Sequence, residues 1–185
     1  MVSLAKTLIF AGMYKVAAGQ DALSSVEDML WFGDKKNTLE DFTGNQQISP
    51  ARQRVIQIAK SQIGQGKGDE WKKYLEGTVP YLPETKQSWC GIFVTWVLQQ
   101  AGLTTKQWEY GAGISSILQR TDSPKPGDII YLNAKQHHGI IESINGNDIK
   151  TVDGNSWNGV VAENDRKLSD VAAFYSIAPL IGEKA

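Results

Sequence analysis

Residues Gln87 to Gly102 read QSWCGIFVTWVLQQAG and contain the only cysteine of the chain. From Ile92 onward the stretch is apolar nearly all round. Ile92, Phe93, Val94, Trp96, Val97 and Leu98 leave no polar face, the pattern of a helix buried at the centre of a fold. Gly102 supplies its C-terminal stop. The preceding loop, TVPYLPETKQS, holds Pro80 and Pro83, which exclude regular structure there. The chain therefore passes from an irregular loop directly into a core helix, and Cys90 stands at the opening position.

Two roles are open to a cysteine in that place. Free cysteine is among the most buried residue types and packs as a small apolar side chain. At a helix start, however, a thiolate faces unpaired N–H groups and the positive end of the helix dipole, which lowers a thiol pKa. The same N–H groups suit an oxyanion hole. A partner base decides between the two.

The elements around this helix set the fold class. Ser49 and Pro50 form a helix start, as N-cap and first-turn proline, for ARQRVIQIAKSQIG. Val55, Ile58, Ala59 and Ile63 make one stripe of that helix and Gly64 ends it. A second helical stretch lies in DEWKKYLEG. After SPKPGD the chain changes to short β-rich runs, DIIYLN, HHGIIESI, DIKTVD, GVVAE and AAFYSIA, separated by turns such as NGND and GNSWNG. Helices followed by strands predict an α+β fold, with a meandering antiparallel sheet and the Cys90 helix packed across it.

Toward the N-terminus, Ser3 to Ala18 and Asp21 to Phe32 read as a helical hairpin, and DKKNTLEDFTGNQQ as a linker. The expected division is residues 1–47 as a helical extension with linker and residues 48–185 as the main domain. A length of 185 residues with 41% hydrophobic and 21% charged residues suits one core with a small appendage. The opening MVSLAKTLIFAGMYKVAAGQ resembles a secretory leader, but Lys15 interrupts it. Leu4, Leu8, Ala11 and Lys15 at helical spacing favour a surface helix. No run reaches the roughly 18 to 20 apolar residues of a membrane span.

A formal net charge of −1, with the basic residues scattered, leaves no electrostatic footprint for nucleic acid or an anionic membrane. A single cysteine forms no internal disulfide, so the thiol is available for chemistry. The two histidines, His137 and His138, are adjacent in a strand and point to opposite faces. They make no joint metal site, and neither a metal nor another cofactor is expected. At most one of them is expected to face Cys90. His137 shares its side with Gly139, Ile141 and Ser143, and a glycine there admits close approach of a helix, which favours His137 over His138. The next strand ends in TVDGN, bringing Asp153 and Asn155 alongside as groups to orient an imidazole, although Asp-Gly-Asn is also an ordinary turn composition.

In their order, WCGIFVTWVLQQAGL, KPGDIIYLN, HHGII and DIKTVDGN resemble the CHAP family of cysteine- and histidine-dependent amidohydrolases and peptidases, related to NlpC-type enzymes. The resemblance runs from about Ser49 to Ala178. It implies a papain-like fold with Cys90 as nucleophile and His137, two residues before the glycine, as base. His138 then holds a place usually taken by valine or threonine, and Asp153 and Asn155 fall on the family's orienting positions. It further implies cleavage of amide bonds in bacterial peptidoglycan, between muramic acid and L-alanine or within the stem or cross-bridge peptide, through a thioester and without a metal.

Trp89, Trp108 and Trp157 flank the site in sequence and are candidates for stacking on sugar or lining a peptide groove; packing is the alternative use of each. Residues 3–32 lie outside the resemblance and are expected to dock on the domain, cover its cleft or bind a protein partner such as an immunity protein. The absence of a clear leader suits a protein made in the cytoplasm that reaches the wall after lysis or by delivery through another machine. Two other readings stand beside this one: a thiol amidase or protease of the same fold acting on a non-wall amide, and a catalytically inactive binding module.

Overall fold

The computed structural model describes residues 48–75, 88–104, 111–132 and 136–183. The expected N-terminal hairpin, its linker, the boundary at residue 47, Trp108 and most of the proline loop before Cys90 lie outside the described residues.

Two α-helices and six strands are described. Helix α1 spans Pro50–Ser61 and α2 spans Cys90–Gln100. The strands are β1 Gln119–Thr121, β2 Ile129–Leu132, β3 His137–Asn145, β4 Asp148–Asp153, β5 Ala162–Lys167 and β6 Ala173–Ser176. They form one antiparallel sheet in the order β1-β6-β2-β3-β4-β5. The α+β class expected from the sequence is the class observed.

The meander holds from β2 to β5 and fails at β6. That strand returns to the other side of β2, where Ile129 lies opposite Tyr175, and it carries the short β1 at the sheet edge. β1, with three polar residues, has no apolar alternation to announce it. The expected strand GVVAE starts later than predicted. The Ser156 N–H donates to the Val160 carbonyl and the Val161 N–H to the Gln65 carbonyl, so this segment is spent docking a turn, and pairing with β4 begins at Ala162.

Helix α2 is buried as its composition requires, with Cys90 to Thr95, Val97 and Leu98 inaccessible. Its side chains pack with Ile129, Ile140, Val152 and Tyr175 on one face of the sheet. Ile130, Leu132, Ile141 and Ile149 form a second cluster on the other face, covered by Leu168, Val171 and Phe174. Sheet positions buried on both faces are why β2 and β3 read as nearly continuous apolar runs.

Helix α1 begins at Pro50 as expected, and the Gln53 N–H donates to the Ser49 carbonyl at 3.0 Å, but the Ser49 side chain makes no capping bond. The helix stops at Ser61, ahead of the expected Gly64 end. Ile63 therefore leaves the stripe and is 42% exposed, while Arg52 is fully buried in the opening turns. Its Nη1 donates to Asp128 Oδ1 at 2.7 Å and to the Pro126 carbonyl at 3.0 Å, and its Nε donates to Glu183 Oε2 at 2.9 Å. Asp128 also accepts from the Ile177 N–H at 3.0 Å and the Lys125 N–H at 2.9 Å. The Pro-Gly-Asp opening of β2 is thereby clamped to α1 and to the end of β6. Arg52 backs directly onto Gly127, which has φ +89° and would place a Cβ 3.2 Å from the arginine Cβ. Arg52→Ala strands the buried Asp128 charge. It is expected to cost about 3–5 kcal/mol in urea unfolding, and a loss below about 1 kcal/mol would show that the amide donors to Asp128 suffice alone.

Candidate active site

The site begins at the uncapped end of α2. Trp89, at the N-cap, offers no side-chain acceptor, and the first intrahelical bond runs from the Phe93 N–H to the Trp89 carbonyl at 2.9 Å. The amides of Cys90, Gly91 and Ile92 thus precede the ladder at the positive end of the helix. Cys90 is a buried free thiol.

Strand β3 opens across from it. Gln136, in the left-handed region at φ 47°, turns the chain into the strand, and its carbonyl lies 3.9 Å from Cys90 Sγ. His138 Nδ1 lies 3.7 Å from the same sulfur. The His138 ring is fully buried on the α2 side of the sheet with Ile140, and it packs against Tyr131, its neighbour on β2, at 5.2 Å between centroids. His137, the preceding residue, also lowers the thiol through its charge and hydrogen-bonding capacity, so both imidazoles bear on Cys90. The ring in hydrogen-bond contact with the sulfur is His138, whereas the glycine argument favoured His137. Side-chain alternation governs residues inside a strand, and His137 is the first residue of β3, where the turn at Gln136 sets its direction.

His137 Nε2 meets Asp153 Oδ2 at 3.0 Å, which leaves Nδ1 as the nitrogen for the thiol. Ile140 lies opposite Val152, so Asp153 comes one step further along, opposite Gly139. A Cβ on Gly139 would stand 2.0 Å from Asp153 Oδ1. The glycine makes room for this carboxylate, not for α2 as its place in the sequence suggested. Asp153 is fully buried and is also paired closely with Arg166 on β5, whose Nε donates to Thr151 Oγ1 at 3.1 Å. Asn155, the other orienting candidate, lies beyond β4 with a left-handed backbone at φ 53°; the imidazole is held by Asp153.

Burial pushes the Cys90 thiol up, but hydrogen bonds and charge from His137 and His138 outweigh it and bring the thiol down to about 6. His137 moves in the opposite sense. Burial disfavours its charged ring, yet the hydrogen bonds and charges of Asp153 and Cys90 raise it to about 9. Between these values the pair is a thiolate beside an imidazolium, the charge state that a cysteine nucleophile requires.

Trp89, a candidate for substrate contact, is instead a core residue. It is 3% exposed, stacked with Trp71 at 6.4 Å and Tyr74 at 5.5 Å, and edge-on to Phe93 at 6.5 Å. Gly66 and Gly154 are pressed against its ring, at 2.7 and 2.8 Å from a would-be Cβ. Trp157 is the reverse case, 77% exposed on the turn that follows Asp153. Arg166 was missed by sequence reasoning. Its only local signal is the polar alternation of AENDRK, which marks a strand beside β4 but not the carboxylate it meets.

Residues 82–155 match the CHAP domain family. No curated protein matches the chain. Among solved structures, the chain is similar to the peptidoglycan hydrolase RipB from Mycobacterium tuberculosis, at 16% identity and a TM-score of 0.46, over 69% of this chain and 64% of that one. The chain thus corresponds to less than two thirds of that protein's length. The stretch that holds Cys90, both histidines and Asp153 lies within the residues that match the CHAP domain.

Proposed function

We propose that this protein is a cysteine amidohydrolase or endopeptidase that cleaves amide bonds of bacterial peptidoglycan through a thioester. The observation that carries the reading is the buried Cys90 thiol at the start of α2, with His138 Nδ1 at 3.7 Å and the adjacent His137 held by Asp153 at 3.0 Å. The CHAP match supports the choice of a wall amide as substrate.

In the proposed cycle the Cys90 thiolate attacks the amide carbonyl carbon. The oxygen charge that develops falls near the free N–H groups at the start of α2. The C–N bond then breaks, and the leaving nitrogen takes the His137 Nδ1 proton. Water attacks the thioester, giving a proton to the now neutral His137. The C–S bond breaks, and the thiolate and imidazolium are restored with the carboxylic acid as product. Asp153 keeps the ring in one orientation throughout and takes no part in the proton transfers. Trp157, exposed beside this site in sequence, is the aromatic surface proposed to contact substrate.

Digestion of purified sacculi and defined muropeptides, read by mass, tests the activity and names the bond. Release of intact stem peptide marks an amidase, and a shortened stem or opened cross-bridge marks an endopeptidase. Failure to cut any wall substrate, with the thiol still alkylated rapidly, moves the activity to a non-wall amide. An ordinary alkylation rate removes the nucleophile altogether.

The pH dependence follows from the pair. Activity is expected to rise as Cys90 loses its proton through about pH 6 and to fall as His137 loses its own through about pH 9. The resulting bell in kcat/KM is checked by a rate profile from pH 4.5 to 10.5; a single ascending limb would contradict a working imidazolium.

A further inference from the structure

His138 is a buried polar residue to which the cycle above assigns no task, although its ring is in contact with the reacting atom. Its Nδ1 is 3.7 Å from Cys90 Sγ, comparable to the 3.9 Å of the Gln136 carbonyl. The carbonyl is an acceptor and favours a protonated thiol. A thiolate in that place needs donors on its other sides. His137 is one, but its proton leaves during catalysis. The Tyr131 ring at 5.2 Å limits how the His138 imidazole can turn, and the side chain is fully shielded from solvent.

We infer that His138 is a second catalytic histidine, which donates its Nδ1–H to the Cys90 sulfur and holds the thiolate independently of the proton that His137 carries. In the resting enzyme the sulfur then has two donors against one acceptor. During hydrolysis of the thioester, the electron pair of the breaking C–S bond returns to a sulfur already facing the His138 N–H, and no proton is transferred from His138. Among the described residues, the ionisable groups against Cys90 are His137 and His138, with Asp153 and Arg166 behind His137. The inference rests on the proposal that Cys90 is the nucleophile, and its test uses no substrate.

The test is the pH dependence of Cys90 alkylation by iodoacetamide in the full chain, for the wild type, His138→Leu and His138→Asn, with folding checked by circular dichroism. Leucine fills the buried volume without a donor; asparagine returns an amide near the Nδ1 position. The half-rise of the alkylation rate is expected about one pH unit higher in His138→Leu, so that alkylation at pH 5.5 is slower by about tenfold. His138→Asn should recover most of that shift. A folded His138→Leu whose profile overlays the wild type overturns the role, because a residue used only for packing does not move a thiol titration.

A second measurement covers the case in which His138→Leu does not fold. Imidazole resonances of wild type and Cys90→Ala are titrated by NMR; both rings should respond to loss of the sulfur, and a response from His137 alone overturns the inference. If the wild-type thiol is itself unreactive at neutral pH, the nucleophile proposal fails, and the second histidine fails with it. A rapid wild-type rate with no effect of His138→Leu sinks the second histidine only.

Discussion

His137→Ala is expected to lower kcat/KM on a cleavable muropeptide by about 10³-fold or more while leaving the fold intact. Three losses coincide in this one substitution. The thiol loses a hydrogen bond and a positive charge, so at neutral pH less of it is thiolate. In the proposed cycle the leaving nitrogen loses its proton donor, and the attacking water loses its base, each worth about 10² to 10⁴-fold. The fold should survive because Asp153 keeps its ion pair with Arg166, and His137 sits at the first position of β3 instead of in its centre. Two readouts check it together: turnover, and the pH at which Cys90 becomes alkylated, which should move upward from about 6. His138→Ala should behave differently, remaining active at pH 8 and weakening as the pH falls. If His137→Ala retained more than about a tenth of the wild-type rate while His138→Ala was inactive at every pH, the base would be His138.

Gly139→Ala is expected to be nearly as severe, although it adds a single methyl group and removes no functional atom. The new Cβ would lie 2.0 Å from Asp153 Oδ1 and 2.8 Å from Asp153 Cγ. Such distances require something to move, and the carboxylate is not a loose end, since His137 and Arg166 both hold it. Its displacement breaks the 3.0 Å bond to His137 and releases the imidazole from its orientation. A misplacement of that order costs about 10²-fold in turnover, and the overpacking about 1–3 kcal/mol in stability. The mechanism predicts non-additivity. In an Asp153→Ala background the carboxylate is absent, and Gly139→Ala should add little further loss of activity. A double-mutant cycle measures this, and full additivity would place the damage in the β3 backbone.

Much of this molecule was legible from short-range pattern. The apolar run after Cys90 predicted a buried helix, and α2 is one; the alternation and turn signals after residue 124 predicted strands, and β2 to β4 lie where they were expected. What misled was pattern whose meaning depends on distant partners. Ile63 continued an apolar stripe, yet the helix ends before it, and the Gly64 N–H donates to the Val161 carbonyl nearly a hundred residues away. Trp89 stood next to Cys90 and looked available to substrate, but Trp71 and Tyr74 cover it. Nothing near Arg52 in the sequence marks the partners that bury it, Asp128 and Glu183.

The candidate site divides in the same way. That a lone cysteine opens a core helix, and that two histidines open a strand with an aspartate at the end of the next, are properties of the linear order. Sequence alone therefore determined the class of fold, the cysteine proposed as nucleophile and the short list of residues that surround it. The tertiary structure decided their geometry: His138 against the sulfur, Asp153 and not Asn155 on the His137 ring, Gly139 as the space for a carboxylate, and Arg166 behind it. The physical reason is that helix and strand periodicity are written in neighbouring residues. The direction of a side chain at a strand's first position, and the register that sets Asp153 against Gly139, depend on contacts between segments far apart in the chain.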